Sequence, residues 1–319
     1  MLPRNSIHSI KLEVPDGWPQ PYDIFKGNPP TDAGFLLGKK LFYDGRLSKN
    51  GKFPCSSCHE PRAAFATFDH DLSHGFGGQF TTRNAPALQN LAWESSYHWD
   101  GKFRNLTDQA VSPITAPNEM AENIDSVLIK LKKDKEYPAM FKKAFGNKEI
   151  TGEKMLKALV QFTGMMVSAN SKYDRVKKGL DSFNRAEANG YIVFKINCAI
   201  CHKEPLFTDN TFRNNGLDVD PYLKDYGRMM VTGKKEDSLK FKVPSLRNAG
   251  LTSPYMHDGR FSSLNAVVEH YASGIQPSAT LDSILTKPIR LGPREKHDLV
   301  YFLNTLTDSS FIANPAYLP

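Results

Sequence analysis

Apolar residues along this chain recur at helical spacing, in short runs separated by polar stretches. Residues 31–43 predict a helix opened by Thr31 and Asp32, with Phe35, Leu36, Leu41 and Phe42 on its apolar face. A second helix is expected over 123–133 after an Asn123 cap. A third follows Thr151 over 151–169, with Leu156, Leu159, Val160, Phe162 and Thr163 at helical intervals. A fourth spans 185–197, and a last one, opened by Pro293, spans 293–306. No sustained alternation of the kind a strand needs is visible. Residues 44–54 and the polar stretch 208–242 predict loops, and Tyr173 to Asn184 predicts a linker. The expected fold class is therefore mainly α.

Length sharpens this to two units. The chain has 319 residues, and at roughly 150 residues per domain that predicts about two domains. The boundary is placed between 1–175 and 176–319. At 40 % hydrophobic residues the chain is too apolar for disorder, and no run approaches the ~18 residues of a membrane-spanning helix. The 21 prolines argue for short helices and many loops. Lysine and arginine exceed acidic residues by 7. No interleaving of aromatic and basic residues accompanies that excess, so a nucleic-acid partner is not expected.

The four cysteines are too few for a disulfide scaffold, and their placement carries the chemistry. They occur only as Cys55-Ser-Ser-Cys58-His59 and Cys198-Ala-Ile-Cys201-His202. C-x-x-C-H is the attachment pattern of c-type haem. The thiols bond the porphyrin vinyl groups and the adjacent imidazole ligates the iron from below. Zinc knuckles are a poorer reading, because the pairs lie 143 residues apart (198 − 55) and zinc pairs are usually separated by about 15–20. A thioredoxin-like redox pair would need a βαβ pattern, which is not seen. Covalent haem implies maturation outside the cytoplasm. Residues 1–8 show neither a basic n-region nor an apolar h-region, so the expectation is a periplasmic protein whose leader has been removed.

The surroundings of the two motifs repeat. Gly38, Leu41 and Phe42 stand before the first as Gly190, Val193 and Phe194 stand before the second. Ala85-Pro86-Ala-Leu88-Gln-Asn90 matches Val243-Pro244-Ser-Leu246-Arg-Asn248. Tyr97-His-Trp99-Asp100-Gly101-Lys102-Phe103 matches Tyr255-Met-His257-Asp258-Gly259-Arg260-Phe261. The last two matches share an offset of 158 (248 − 90). Two like units, each holding one haem, are expected.

On these motifs, with Arg83-Asn84-Ala85-Pro86, Trp99-Asp100-Gly101, Gln109 to Glu119-Met120 and Leu251-Thr252-Ser-Pro254-Tyr-Met-His257, the chain resembles a known family. The family is that of the bacterial di-haem cytochrome c peroxidases. It includes the di-haem enzyme that matures the tryptophan-derived cofactor of methylamine dehydrogenase. The resemblance covers roughly residues 31–306. It implies two tandem c-type cytochrome domains, an N-terminal peroxidatic haem and a C-terminal electron-transfer haem, and reduction of hydrogen peroxide to water.

The resemblance also implies what lies above each iron. In the family the C-terminal haem takes a distal ligand, usually Met, about 14 residues after the His of Tyr-x-His-Asp-Gly; from His257 this count reaches Tyr271. Subtracting 158 gives Pro113 in the first unit, which has no ligating side chain. The expectation is an open haem on His59 and a closed one on His202 and Tyr271. Alternatives are a packed Tyr271 bonded to a propionate, or ligation by His270. Glu119 matches the family's catalytic glutamate and Gln109 its pocket amide. Trp99 matches the tryptophan between the haems, the alternative being a core indole. The family's distal loop histidine aligns with Phe76, and His74 is the candidate to substitute for it. Arg83, Lys102, Arg104, Arg247 and Arg260 are candidate propionate partners. Calcium between the units is implied at Asn84, Thr252 and Pro254, whose oxygen donors suit that ion.

The implied partners are hydrogen peroxide and a small c-type cytochrome or cupredoxin as electron donor; the chain is free to act as a homodimer. Two further functions stay open. One is a protein-modifying oxidase using a high-valent iron state, which the Met-to-Tyr departure at Tyr271 favours. The other is a non-catalytic di-haem electron carrier.

Overall fold

A computed structural model describes residues 8–287 and 289–319. Eleven α-helices occur among them: α1 (Asp32–Phe42), α2 (Leu106–Thr115), α3 (Ile124–Lys132), α4 (Tyr137–Phe145), α5 (Gly152–Gly164), α6 (Lys172–Lys177), α7 (Arg185–Asn197), α8 (Met229–Thr232), α9 (Leu264–Glu269), α10 (Pro293–Asn304) and α11 (Ser309–Ile312). The described strands are one antiparallel pair, β1 (Phe212–Arg213) and β2 (Phe241–Lys242), with Phe212 opposite Lys242. The fold is largely helical, as the apolar spacing predicts.

The caps are where the sequence puts them. Thr31 Oγ1 accepts from the Gly34 N–H at 3.0 Å, Asn123 Oδ1 from Ser126 at 2.8 Å, and Thr151 Oγ1 from Lys154 at 3.3 Å. Each satisfies a donor the first helical turn leaves over. α7 opens with a reciprocal Asn184–Glu187 box. The helix expected to reach 169 ends at Gly164 instead. Asn90 stops it: its backbone N–H bonds the Met166 carbonyl at 2.8 Å, and its side chain pairs with both backbone groups of Ser168. The end of α10 repeats this, with Asn248 N–H on the Leu306 carbonyl at 3.0 Å.

Three expectations are corrected. The stretch expected to link the units, 173–184, begins with α6, whose Tyr173 and Asp174 are buried. Asp174 takes two 2.9 Å bonds from Arg247, so the packing partner decides and the local charge pattern misleads. The 208–242 loop contains β1, β2 and α8. α2 and α4 were not expected, and each carries a proline. In α2 Pro113 sits near the C-terminal end and costs one ladder bond; in α4 the proline is in the first turn, where it is tolerated.

Two apolar cores form around matching helix pairs. α1 crosses α5 with Leu37, Leu41, Phe42 and Phe162 fully buried. α7 crosses α10 with Phe194, Leu299 and Phe302. Both crossings are close because of a glycine. A Cβ on Gly38 would lie 2.0 Å from the Ala158 carbonyl, and one on Gly190 would lie 1.9 Å from the Asp298 carbonyl. The chain end returns to the first core, where Phe311 and Tyr317 are buried.

Candidate functional site

Each C-x-x-C-H segment is a tight turn. His59 N–H bonds the Cys55 carbonyl at 3.0 Å, and His202 N–H bonds the Cys198 carbonyl at the same distance. The chain then doubles back through left-handed residues, Ala64 and Phe65 after the first motif and Phe207 after the second. That reversal brings the Phe65 carbonyl 2.9 Å from His59 Nδ1. His202 Nδ1 faces the Phe207 and Pro244 carbonyls, both at 3.1 Å. A carbonyl only accepts, so Nδ1 carries the proton in each ring and Nε2 is left with its lone pair for a metal. Burial lowers the pKa of both imidazoles and keeps them neutral, as a ligand must be.

Burial raises the Cys55 and Cys198 thiols to about 12. A reactive redox pair needs the opposite shift. Among the described residues no group of three or more His, Cys, Asp or Glu side chains is arranged to hold a metal ion. Two half-buried cysteines beside a histidine with a free Nε2, with no third cysteine, histidine or carboxylate among the described residues grouped with them, fit covalent haem better than zinc.

The first motif opens on a cavity of about 520 Å³. Cys55, Cys58 and His59 form one wall, and Gln109, Pro113 and Glu119 line it from α2 and the turn after it. Burial raises the Glu119 carboxyl above its ordinary value. Gln109 Nε2 approaches His98 Nε2 at 3.3 Å. His98 is partly buried and lines the cavity. Burial depresses it to about 4, so it accepts the amide N–H as a neutral ring. His74 lines the cavity and Phe76 is not among its lining residues; the Phe76 ring lies 5.1 Å from the Lys49 ammonium. The Phe76 N–H fastens this loop to the Glu119 carbonyl at 2.7 Å.

The cavity also joins the two halves. Trp99 lines it and donates its indole N–H to the Asn84 carbonyl at 2.9 Å. Asn84 N–H bonds the His257 carbonyl at 2.8 Å, and Lys242 N–H bonds the Trp99 carbonyl at 2.7 Å. Asn84, Thr252 and Pro254 face this same space.

Tyr271 is brought to the second motif. It stands in a π-turn, His270–Gly274, that continues α9; such bulges often mark functional positions. Its hydroxyl lies beside the Asn215 side chain and within electrostatic reach of Cys198 and Cys201, and burial raises it to about 12. His270 is turned elsewhere, with Nε2 on the Asn215 carbonyl at 3.0 Å. No sequence signal points to Asn215.

The basic residues nominated for propionates are mostly engaged by carboxylates. Arg83 bonds Asp100 at 2.6 Å and Asp225 at 2.6 and 2.8 Å. Arg247 is held by Asp174, and Arg260 pairs with Asp258 at 2.8 Å. Lys102 lies over Phe103.

A sequence profile of the di-haem cytochrome c peroxidases matches residues 32–182. The methylamine utilization protein MauG of Methylorubrum extorquens is 38 % identical over 302 residues, covering 93 % of this chain and 83 % of that one. The chain belongs to the di-haem cytochrome c peroxidase family. Cytochrome c551 peroxidase of Nitrosomonas europaea is 36 % identical, covering 78 % of this chain and 76 % of its own. A crystal structure of a MauG-like protein associated with microbial copper homeostasis superposes with a TM-score of 0.90 at 32 % identity, covering 97 % of this chain and 99 % of that one. The family member described here is therefore an oxidoreductase with haem c cofactors. Among the described residues no helix is long and apolar enough to cross a membrane.

Proposed function

We propose that this protein is a periplasmic di-haem peroxidase of two tandem cytochrome domains, 1–175 and 176–319. Hydrogen peroxide is reduced to water at the His59 site, and electrons arrive through the His202 site. The observation that carries this is the contrast above the two motifs: Pro113 and Glu119 face the first, and a Tyr271 hydroxyl faces the second. Bound at these sites, haem supplies the iron that takes up peroxide and the store of electrons. His59 and His202 would ligate it through Nε2, and Cys55, Cys58, Cys198 and Cys201 would anchor the porphyrins. Tyr271 would close the second site. Glu119 takes a proton from one peroxide oxygen and returns it to the other, as general acid–base catalysis requires. Gln109 orients the peroxide through its amide, and Trp99 stands in the path between the halves. Asn84, Thr252 and Pro254 would hold a calcium ion with one side-chain and two backbone oxygens. A small c-type cytochrome or cupredoxin is the donor.

Tyr271 favours a second reading, a protein-modifying oxidase. A phenolate donor lowers a haem potential where a thioether raises it, which suits oxidation of another protein over fast turnover. The test is electron paramagnetic resonance of the ferric holoprotein, before and after peroxide, on wild type and Tyr271→Met. The peroxidase reading expects one high-spin and one low-spin haem, with rapid turnover of peroxide by a reduced cytochrome. Slow turnover with a long-lived oxidised state selects the oxidase. Two low-spin haems that ignore peroxide overturn both in favour of an electron carrier.

A further inference from the structure

α7 leads directly into the second motif, and its outer face is apolar. Ile192 and Ile196 are 58 % and 75 % exposed, and Ile200, between Cys198 and Cys201, is 52 % exposed. Ile192 and Ile196, one turn apart, share a face of α7, and Ile200 is exposed on the haem-attachment turn that follows the helix. Single exposed isoleucines are ordinary; a row of three is not.

The first half shows that the fold does not require them. Gly38 and Phe42 of α1 make the same contacts as Gly190 and Phe194 of α7, which fixes the register between the helices. In that register Lys40 stands where Ile192 does, and Asp44 where Ile196 does. Ser57, inside the first motif, stands where Ile200 does. The first-half face is covered by α4: Lys40 pairs with Glu136 and lies 5.5 Å from the Tyr137 ring, and the Tyr137 hydroxyl donates to Asp44 at 2.6 Å. The second half carries isoleucines at these positions and leaves them exposed.

This patch has a basic border. Arg185 lies seven residues before Ile192 and Lys203 seven after Ile196, both exposed. Among the described residues neither is in an ion pair, while the neighbouring Lys195 is paired with Glu204 at 2.9 Å. The whole chain carries a formal charge of +7. An apolar centre with free cations at its ends matches an apolar patch ringed by carboxylates.

We propose that the Ile192–Ile196–Ile200 face is the docking surface for an acidic electron-carrier protein that delivers electrons at the His202 site. This rests on the proposed direction of electron flow. The apolar centre excludes water where the two redox centres approach, and Arg185 and Lys203 orient the encounter.

The test uses the holoprotein with both haems and reduced plastocyanin, an acidic copper protein, as probe. A basic cupredoxin is the control. Calorimetric Kd and steady-state KM for plastocyanin are measured on wild type, Ile192→Lys, Ile196→Lys and Arg185→Glu/Lys203→Glu. Each isoleucine variant should weaken binding about tenfold. The charge variant should flatten the fall of rate with added salt. Peroxide turnover with a small dye reductant should be unchanged in all of them. Unaltered plastocyanin kinetics in the isoleucine variants overturns the proposal, as does no transfer from plastocyanin, or preference for the basic donor, in a wild type that turns over the dye. A wild-type dimer by light scattering that Ile196→Lys dissociates assigns the face to a second copy and overturns it too. Loss of dye turnover in the wild type itself refutes the peroxidase reading instead.

Discussion

The two halves of this protein agree below their candidate haems and differ above them. Below, each half packs an N-terminal helix on a C-terminal one through a glycine, and each hangs a histidine Nδ1 on a carbonyl presented by a left-handed turn. Above, the first half has α2, Pro113 and the Glu119 turn, and the second has a π-turn carrying Tyr271. In the proposed assignment the shared part would hold a porphyrin and its lower ligand, which demands backbone geometry. The divergent part would decide what reaches the other side, which one or two side chains can change. The outer faces of α1 and α7 diverge in the same way. α4 covers the first, and the second is left open and apolar.

Glu119→Gln should break the contrast most severely. Removing the proton carrier is expected to lower peroxide kcat/KM by about 10²–10⁴-fold, measured by stopped-flow mixing with a reduced cytochrome. Because burial raises the Glu119 pKa, wild-type activity should fall as pH drops through a value above the ordinary glutamate range. A carboxyl with a raised native pKa stabilises the fold only while protonated. Glu119→Gln should therefore unfold at a higher temperature than wild type at neutral pH, and this advantage should vanish in acid.

Arg247→Ala tests whether the second half depends on its buried ion pair. Arg247 is fully buried against Asp174, and stranding the carboxylate should cost about 3–5 kcal/mol, read by denaturant unfolding of the holoprotein. Burial pushes the Asp174 pKa up, and its bonds to Arg247 and Ser171 more than offset this, leaving it below the ordinary value. The pair's contribution is thus present above the usual carboxylate pKa and lost as pH falls through the lowered one, so the gap between wild type and Arg247→Ala should close in acid.

Gly38→Ala and Gly190→Ala sharpen the equivalence of the helix crossings. Each puts a methyl against a carbonyl, and overpacking of this kind costs about 1–3 kcal/mol. The two losses should be alike within error in thermal unfolding. Markedly unequal values would show that one crossing tolerates separation and that the repeat is looser than its contacts suggest. Thr151→Ala and Asn184→Ala, which remove one cap in each half, should cost about 1 kcal/mol each.

The helices with a polar cap and an apolar face could be read from the sequence, and so could the haem-attachment turns and the repeat. Each of these is set by residues close together in the chain. What escaped depends on distant partners. The early end of α5 is imposed by Asn90, more than seventy residues away, and the burial of α6 by Arg247. α2 and α4, which carry prolines at positions where a helix tolerates them, were also missed. At the site, resemblance led to Glu119, Gln109 and Trp99, and the structure places all three on one cavity. Asn215 and the engagement of Arg83 by Asp225 could not be read, because only folding brings the 208–242 segment against Tyr271 and Arg83.

Backbone hydrogen bonds make up part of the seam between the halves, Asn84 to His257 and Lys242 to Trp99. Greasy contacts slide, whereas amide–carbonyl bonds hold a register. Electron tunnelling decays exponentially with separation. For the two irons proposed above, a seam held by these bonds would keep the gap between them constant. Evolution can then retune either metal by changing its distal residues without altering the clockwork that connects them.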